Sequence, residues 1–106
     1  MAVRIPSDAV EPGQVRAVEV DGEEFVCWRG HDGGVRTAPR ICPHLDFDLA
    51  DGFVVDSELV CQGHGWEFDG AGHAAKRNEA GRVDPKGEVP VLAVREADGI
   101  IELHRS

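Results

Sequence analysis

Hydrophobic and polar positions alternate along this chain in short bursts broken by Gly, Pro and Asp, which is how strands read rather than helices. Ala2-Val3-Arg4-Ile5 predicts an opening strand stopped by Pro6. Ser7 to Pro12 has room for one helical turn before Pro12-Gly13 turns the chain. Val15 to Val20 alternates with period two, as a half-buried strand does. Asp21-Gly22 predicts a tight hairpin, and Glu24 to Trp28 returns as the partner strand. Asp32-Gly33-Gly34 predicts a second turn, followed by an extended Val35 to Ala38. Phe53-Val54-Val55 and Leu59-Val60-Cys61 flank Asp56-Ser57-Glu58 as a further hairpin, and Glu67-Phe68 reads as a short strand ending at Asp69-Gly70. Ala71 to Gly87 is mostly polar with Gly and Pro and reads as a long loop. Val89 to Glu96 and Ile100 to Leu103 form a last hairpin across Asp98-Gly99. With no repeat, linker or long helix, these elements predict an all-β fold, an antiparallel barrel or sandwich.

Composition narrows the class. The 106 residues, 42% of them apolar, suffice for one domain, 1–106, with one modest core. No run approaches the roughly 20 apolar residues of a membrane helix. The first ten residues lack the apolar stretch of a signal peptide, so a cytoplasmic protein is expected. The formal charge is −9, from 20 acidic and 11 basic residues. That argues against nucleic acid, whose binding rests on neutralising phosphates. It suits solubility and docking on a basic partner surface. Three cysteines, an odd number, argue against a disulfide framework and fit a reducing compartment.

The chemistry sits in two short stretches. Cys42-Pro43-His44 and, after 16 intervening residues, Cys61-Gln62-Gly63-His64 offer two thiolates and two imidazoles from two loops. Such donors select zinc, copper or iron–sulfur over magnesium or calcium. Zinc would take all four around one ion, whereas an iron–sulfur centre would divide them between two irons. Zinc sites of the Cys2His2 type usually pair like with like on each element. Here each loop supplies one Cys and one His, which suits two irons bridged by sulfide.

Cys42-Pro43-His44 and Cys61-Gln62-Gly63-His64-Gly65-Trp66-Glu67-Phe68-Asp69 resemble the two motifs of a Rieske [2Fe–2S] domain, closest to the Rieske-type ferredoxins and Rieske domains of ring-hydroxylating oxygenases. The gap between the motifs, Gly52, Leu59-Val60 and the closing hairpin are also similar to that family. The resemblance implies one [2Fe–2S] cluster per chain, with Cys42 and Cys61 on an inner iron and His44 and His64 on an outer, more exposed one. It implies a Rieske-like antiparallel β-sandwich or barrel with a small cluster-binding subdomain of two loops, at about 40–70. No spare Cys lies in either loop, Leu45 follows His44, Trp66 follows His64-Gly65, and the chain has no Tyr. These features separate it from the cytochrome bc-type branch. With fewer hydrogen bonds to sulfur, the potential is expected nearer roughly −150 mV than +300 mV. Asp46 and Gln62 depart from the usual Gly and Pro, and Asp46 and Asp48 are expected to lower the potential further.

Other residues read more plainly. Cys27, between Val26 and Trp28, is expected as a buried apolar thiol, and His31, His73 and His104 as solvated. Trp66 and Phe68 are expected to pack under the second loop. Asp84-Pro85-Lys86-Gly87 resembles the Pro-containing loop that covers the cluster in this family. After His64, 42 residues remain and read as strands and a loop, without the two-His-one-carboxylate domain of a terminal oxygenase. The expected function is therefore that of a free-standing electron carrier between a ferredoxin reductase and a terminal oxygenase. It would have no catalytic residues and no small-molecule substrate of its own, and no nucleic-acid or membrane partner. The alternatives are a Rieske subunit of a larger oxidoreductase complex, or a non-redox metal-binding or sensor module.

Overall fold

Phe25-Val26-Cys27-Trp28 is an unbroken apolar run, and all four residues are buried. Successive side chains of a strand point to opposite faces, so a strand buried throughout must have a core on each side. That strand organises the molecule. The computed structural model describes residues 2–42, 47–63, 65–77, 81 and 83–105. Its strands are β1 (Val3–Pro6), β2 (Val15–Val20), β3 (Glu23–Arg29), β4 (Val35–Pro39), β5 (Phe53–Val55), β6 (Glu58–Val60), β7 (Trp66–Phe68), β8 (His73–Arg77), β9 (Val83–Glu88), β10 (Leu92–Ala97) and β11 (Ile100–Arg105). They form three antiparallel sheets, ordered β1-β11-β10, β2-β3-β4 and β5-β6-β7-β8-β9. The fold is all-β, with helical structure confined to single 3₁₀ turns at Ser7–Ala9 and Leu49–Asp51 among the described residues. No helix among those residues is long and apolar enough to cross a membrane.

Phe25 and Cys27 face one core, with Ile5, Val10, Val20, Leu92, Ile101 and Leu103. Val26 and Trp28 face the other, with Ala38, Cys42, Leu49, Leu59, Cys61, Phe68 and Ala74. The two faces of β3 thus join the terminal sheet to the part of the chain that carries the two cysteine loops. Polar ties reinforce both joints. Thr37 is buried on β4, where its hydroxyl accepts the Leu92 N–H at 2.8 Å and so links β4 to β10. The Trp28 indole N–H donates to the Ser57 carbonyl at 3.0 Å, and the His31 N–H donates to Asp56 at 2.7 Å. Both bonds grip the turn between β5 and β6.

Arg29 uses every donor of its guanidinium. Nε donates to Val10 O at 2.7 Å and Nη1 to Gly33 O at 2.7 Å. Nη2 reaches Ser7 O at 3.1 Å, and the fork holds both Glu96 oxygens at 2.9 and 2.6 Å. This pairing holds the Glu96 carboxyl down at about 2, against an ordinary 4.5. A folded-state value below the unfolded one gives stability that is complete above pH 4.5 and lost as pH falls toward 2. The urea midpoint of the wild type should therefore exceed that of Glu96→Gln at neutral pH, and the gap should close across that acid window. A gap that stays constant down to pH 2.5 would show that the pair does not stabilise the fold.

Most strands fall where the alternation predicts them, and β2 matches end to end. Three of the hairpin turns place Asp in the left-handed region, at Asp21, Asp56 and Asp98, where Asn and Asp go most readily among non-glycine residues. The stretch expected as a long loop, Ala71 to Gly87, is instead largely β8 and β9. Asp84-Pro85-Lys86-Gly87 accordingly lies within β9 rather than in a covering loop. β9 is the outer edge of its sheet and is exposed along its length, so no apolar alternation marks it. An edge strand also tolerates Pro85, and the register shifts opposite it between Ala74 and Ala75.

Candidate metal centre

The two motif loops are closed in the same way. The Cys42 N–H donates to the Phe47 carbonyl at 2.7 Å, and the Cys61 N–H donates to the Trp66 carbonyl at 2.8 Å. Each cysteine therefore begins a six-residue loop tied at its base by its own amide. Both cysteines are buried, at 0% and 1% exposure, and share one core with Leu49, Leu59 and Phe68.

The first loop rises from a pinched stem. Ile41 bridges Asp48, the Leu49 N–H donates to Arg40 O at 2.6 Å, and Arg40 clasps Asp48 through Nε and Nη2 at 3.0–3.2 Å. Asp48 also caps the following 3₁₀ turn by accepting the Ala50 N–H at 2.9 Å. The Arg40 guanidinium holds the Asp48 carboxyl below its ordinary range. The charge of Asp48 is thus paired with that of Arg40. Gly52 follows, where an added Cβ would meet Val60 O at 2.7 Å, so the two stems approach backbone to backbone.

The second loop is the connection of the β6–β7 hairpin, in which Leu59 faces Phe68 and Val60 faces Glu67. Phe68 is fully buried beneath it, and Trp66 is half-buried against the same core. That is the packing role expected of both rings. Phe47 crosses from the first loop to pack on Gly63 of the second. This contact was not foreseen from sequence, because the partners are far apart along the chain.

His44 and His64 lie outside the described residues, as do Pro43, Leu45 and Asp46. The structure therefore brings together Cys42 and Cys61 of the four expected ligands. The third cysteine is set apart from them. Cys27 faces the opposite core, where burial pushes its thiol up to about 11. His31 and His73 are exposed and His104 half-exposed. His73 Nδ1 lies 2.8 Å from the Asp69 carboxylate in the β7–β8 turn.

Two buried thiols at the bases of two matching loops suit a metal cluster seated against the core. A family model described as the Rieske [2Fe-2S] domain matches residues 2–94. The chain belongs to the Rieske [2Fe-2S] domain family. That family carries one [2Fe–2S] cluster per domain, and the buried cysteine pair fits its sulfur ligands. Among similar proteins are the cholesterol 7-desaturase nvd 1 of Ciona intestinalis, 41% identical over 69 residues (64% of this chain, 15% of that protein). Another is the 5,5'-dehydrodivanillate O-demethylase oxygenase subunit of a Sphingobium species, 31% identical over 97 residues (86% and 23%). The chain spans less than a quarter of the length of either relative. Among solved structures, dicamba monooxygenase with non-heme iron and dicamba superposes with a TM-score of 0.82 at 27% identity, over 98% of this chain and 32% of that one. A chain in the complex of reduced oxygenase and oxidised ferredoxin of carbazole 1,9a-dioxygenase shares the Rieske fold at 19% identity and a TM-score of 0.74. There the match covers 99% of this chain and 95% of that one.

Proposed function

We propose that this chain is a Rieske-type ferredoxin, carrying one electron from a reductase to a terminal oxygenase, with Cys42, His44, Cys61 and His64 holding its cluster. The observation that carries this reading is the pair of loops closed alike by Cys42 and Cys61 over one core. When bound, a [2Fe–2S] group with mixed ligands accepts and returns a single electron at a higher potential than an all-cysteine centre. The protein supplies the rest. The Cys42 and Cys61 amides lock the loop bases, Phe68 and Leu59 exclude water from beneath the thiolates, and the Arg40–Asp48 clasp stiffens the first stem. On this reading the chain has no substrate of its own.

Two further facts support the carrier reading. A fold of this extent makes up nearly the whole of a chain in an oxygenase–ferredoxin complex, and a charge of −9 suits docking on a basic surface. The relatives with 31–41% identity are named as a desaturase and an oxygenase subunit, which favours a second reading: the Rieske portion of an oxygenase component.

Stopped-flow mixing of the reduced chain with a separate terminal oxygenase distinguishes the two. The carrier reading predicts rapid reoxidation that slows steeply as ionic strength rises, because salt screens the docking charges. A rate flat from low to high salt would remove the electrostatic docking. Failure to reduce any separate oxygenase, together with constant co-purification with a larger catalytic chain, would favour the second reading.

A further inference from the structure

Phe47 and Gly63 belong to different loops, yet they are fitted to each other. An ideal Cβ built on Gly63 would lie 2.4 Å from both Cδ2 and Cε2 of Phe47 and 2.9 Å from its Cζ. Those are distances that real side chains do not reach. Gly63 is not among the glycines with positive φ, so its backbone could carry any side chain. The aromatic ring is what excludes one. Phe47 also packs, half-buried, on the core that holds Cys42 and Cys61, and its carbonyl closes the first loop. One residue therefore ties the base of its own loop and rests on the middle of the other, between Cys61 and position 64.

We infer that Phe47 is a positioning residue for the cluster: its ring holds the second loop in register with the first and keeps water away from the sulfur side of the site. The inference rests on the proposed ligand set. Reduction adds negative charge, which nearby water stabilises, so a dry apolar cover lowers the reduction potential. The cover also slows the entry of chelators and the escape of iron. Aromatic burial against a glycine is well suited to this, since a ring offers a large rigid apolar face.

The test uses the full chain as wild type, Phe47→Ala, Phe47→Leu, Gly63→Ala and the Phe47→Ala/Gly63→Ala pair. The readouts are the midpoint potential from a spectroelectrochemical titration and the rate of iron release to a chelator. Phe47→Ala should raise the potential and speed iron release severalfold, and Phe47→Leu should restore most of both. Gly63→Ala alone should shift both readouts in the same direction, because its methyl must displace the ring. Added to Phe47→Ala it should change little, because the vacated space accepts the methyl. The leucine and glycine variants carry the comparison if Phe47→Ala does not fold. A potential unmoved in Phe47→Ala or in Gly63→Ala, or a double variant equal to the sum of the singles, would overturn the inference while leaving the ligand reading intact. A wild-type chain that holds no iron and sulfide would overturn both.

Discussion

Alanine at Cys61 should give a folded protein that retains neither iron nor sulfide. The thiol is buried at 1% exposure at the base of the second loop, and the third cysteine, Cys27, faces the other core. The bond that closes that loop comes from the Cys61 amide, not from its side chain, and survives the substitution. The core on the Phe25 and Cys27 face of β3 contains neither proposed cysteine ligand. Far-ultraviolet circular dichroism should therefore keep its strand signature while the visible absorption of the cluster disappears. Cys42→Ala should behave alike. Cys27→Ala is the internal control: it lies in the other core, so it should keep full iron and sulfide and lose only about 1 kcal/mol of stability, as small buried truncations do. Full iron in Cys61→Ala, or loss of iron in Cys27→Ala, would contradict the assignment of these three thiols.

The largest effect on stability is expected at Trp28. It is the bulkiest of the fully buried side chains, and its indole also grips the β5–β6 turn through Ser57. Truncation to alanine removes the packing of an aromatic ring, leaves a cavity in the core that Trp28 shares with Leu59 and Phe68, and strips the Ser57 carbonyl of its donor. A loss of about 3–5 kcal/mol follows. Trp28→Phe keeps most of the packing and loses mainly the hydrogen bond, so it should cost about 1–2 kcal/mol. Because β6 runs directly into Cys61, both variants should also release iron faster, in the same order. Urea denaturation read with iron release checks this. A cost for Trp28→Ala near that for Trp28→Phe would show that the ring is not the joint between core and loops.

The order in which these features could be read reflects how each is encoded. β2 and the Asp21-Gly22 turn are local, written in a period of two and in residues that accept the left-handed region, and they emerge where expected. The double burial of β3 is also legible, as a continuous apolar run. Parity sets Cys27 on the face away from Val26 and Trp28, and the structure packs Cys42 and Cys61 on that other face. β8 and β9 were hidden because an exposed edge needs no apolar face, and Pro85 and Gly87 are turn residues until an edge strand accommodates them. The candidate site divides in the same way. Cys42 and Cys61 stand out by motif spacing, but the ties that hold the sheets around them join residues remote in sequence. Arg29 and Glu96 are 67 residues apart and Thr37 and Leu92 are 55 apart. Nothing local in the sequence marks either pair. Nothing local marks Phe47 either, because its contact with Gly63 joins two different loops.

On the proposed reading, the two cysteine–histidine loops hold one [2Fe–2S] cluster that cycles by one electron. Electron paramagnetic resonance of the dithionite-reduced chain, with iron, acid-labile sulfide and zinc assayed on the same sample, tests it most directly. The expected result is a rhombic Rieske-type signal with about two irons and two sulfides per chain, silent again on reoxidation. One zinc per chain, no sulfide and no signal would contradict it, and would leave a Rieske fold holding a closed structural metal site.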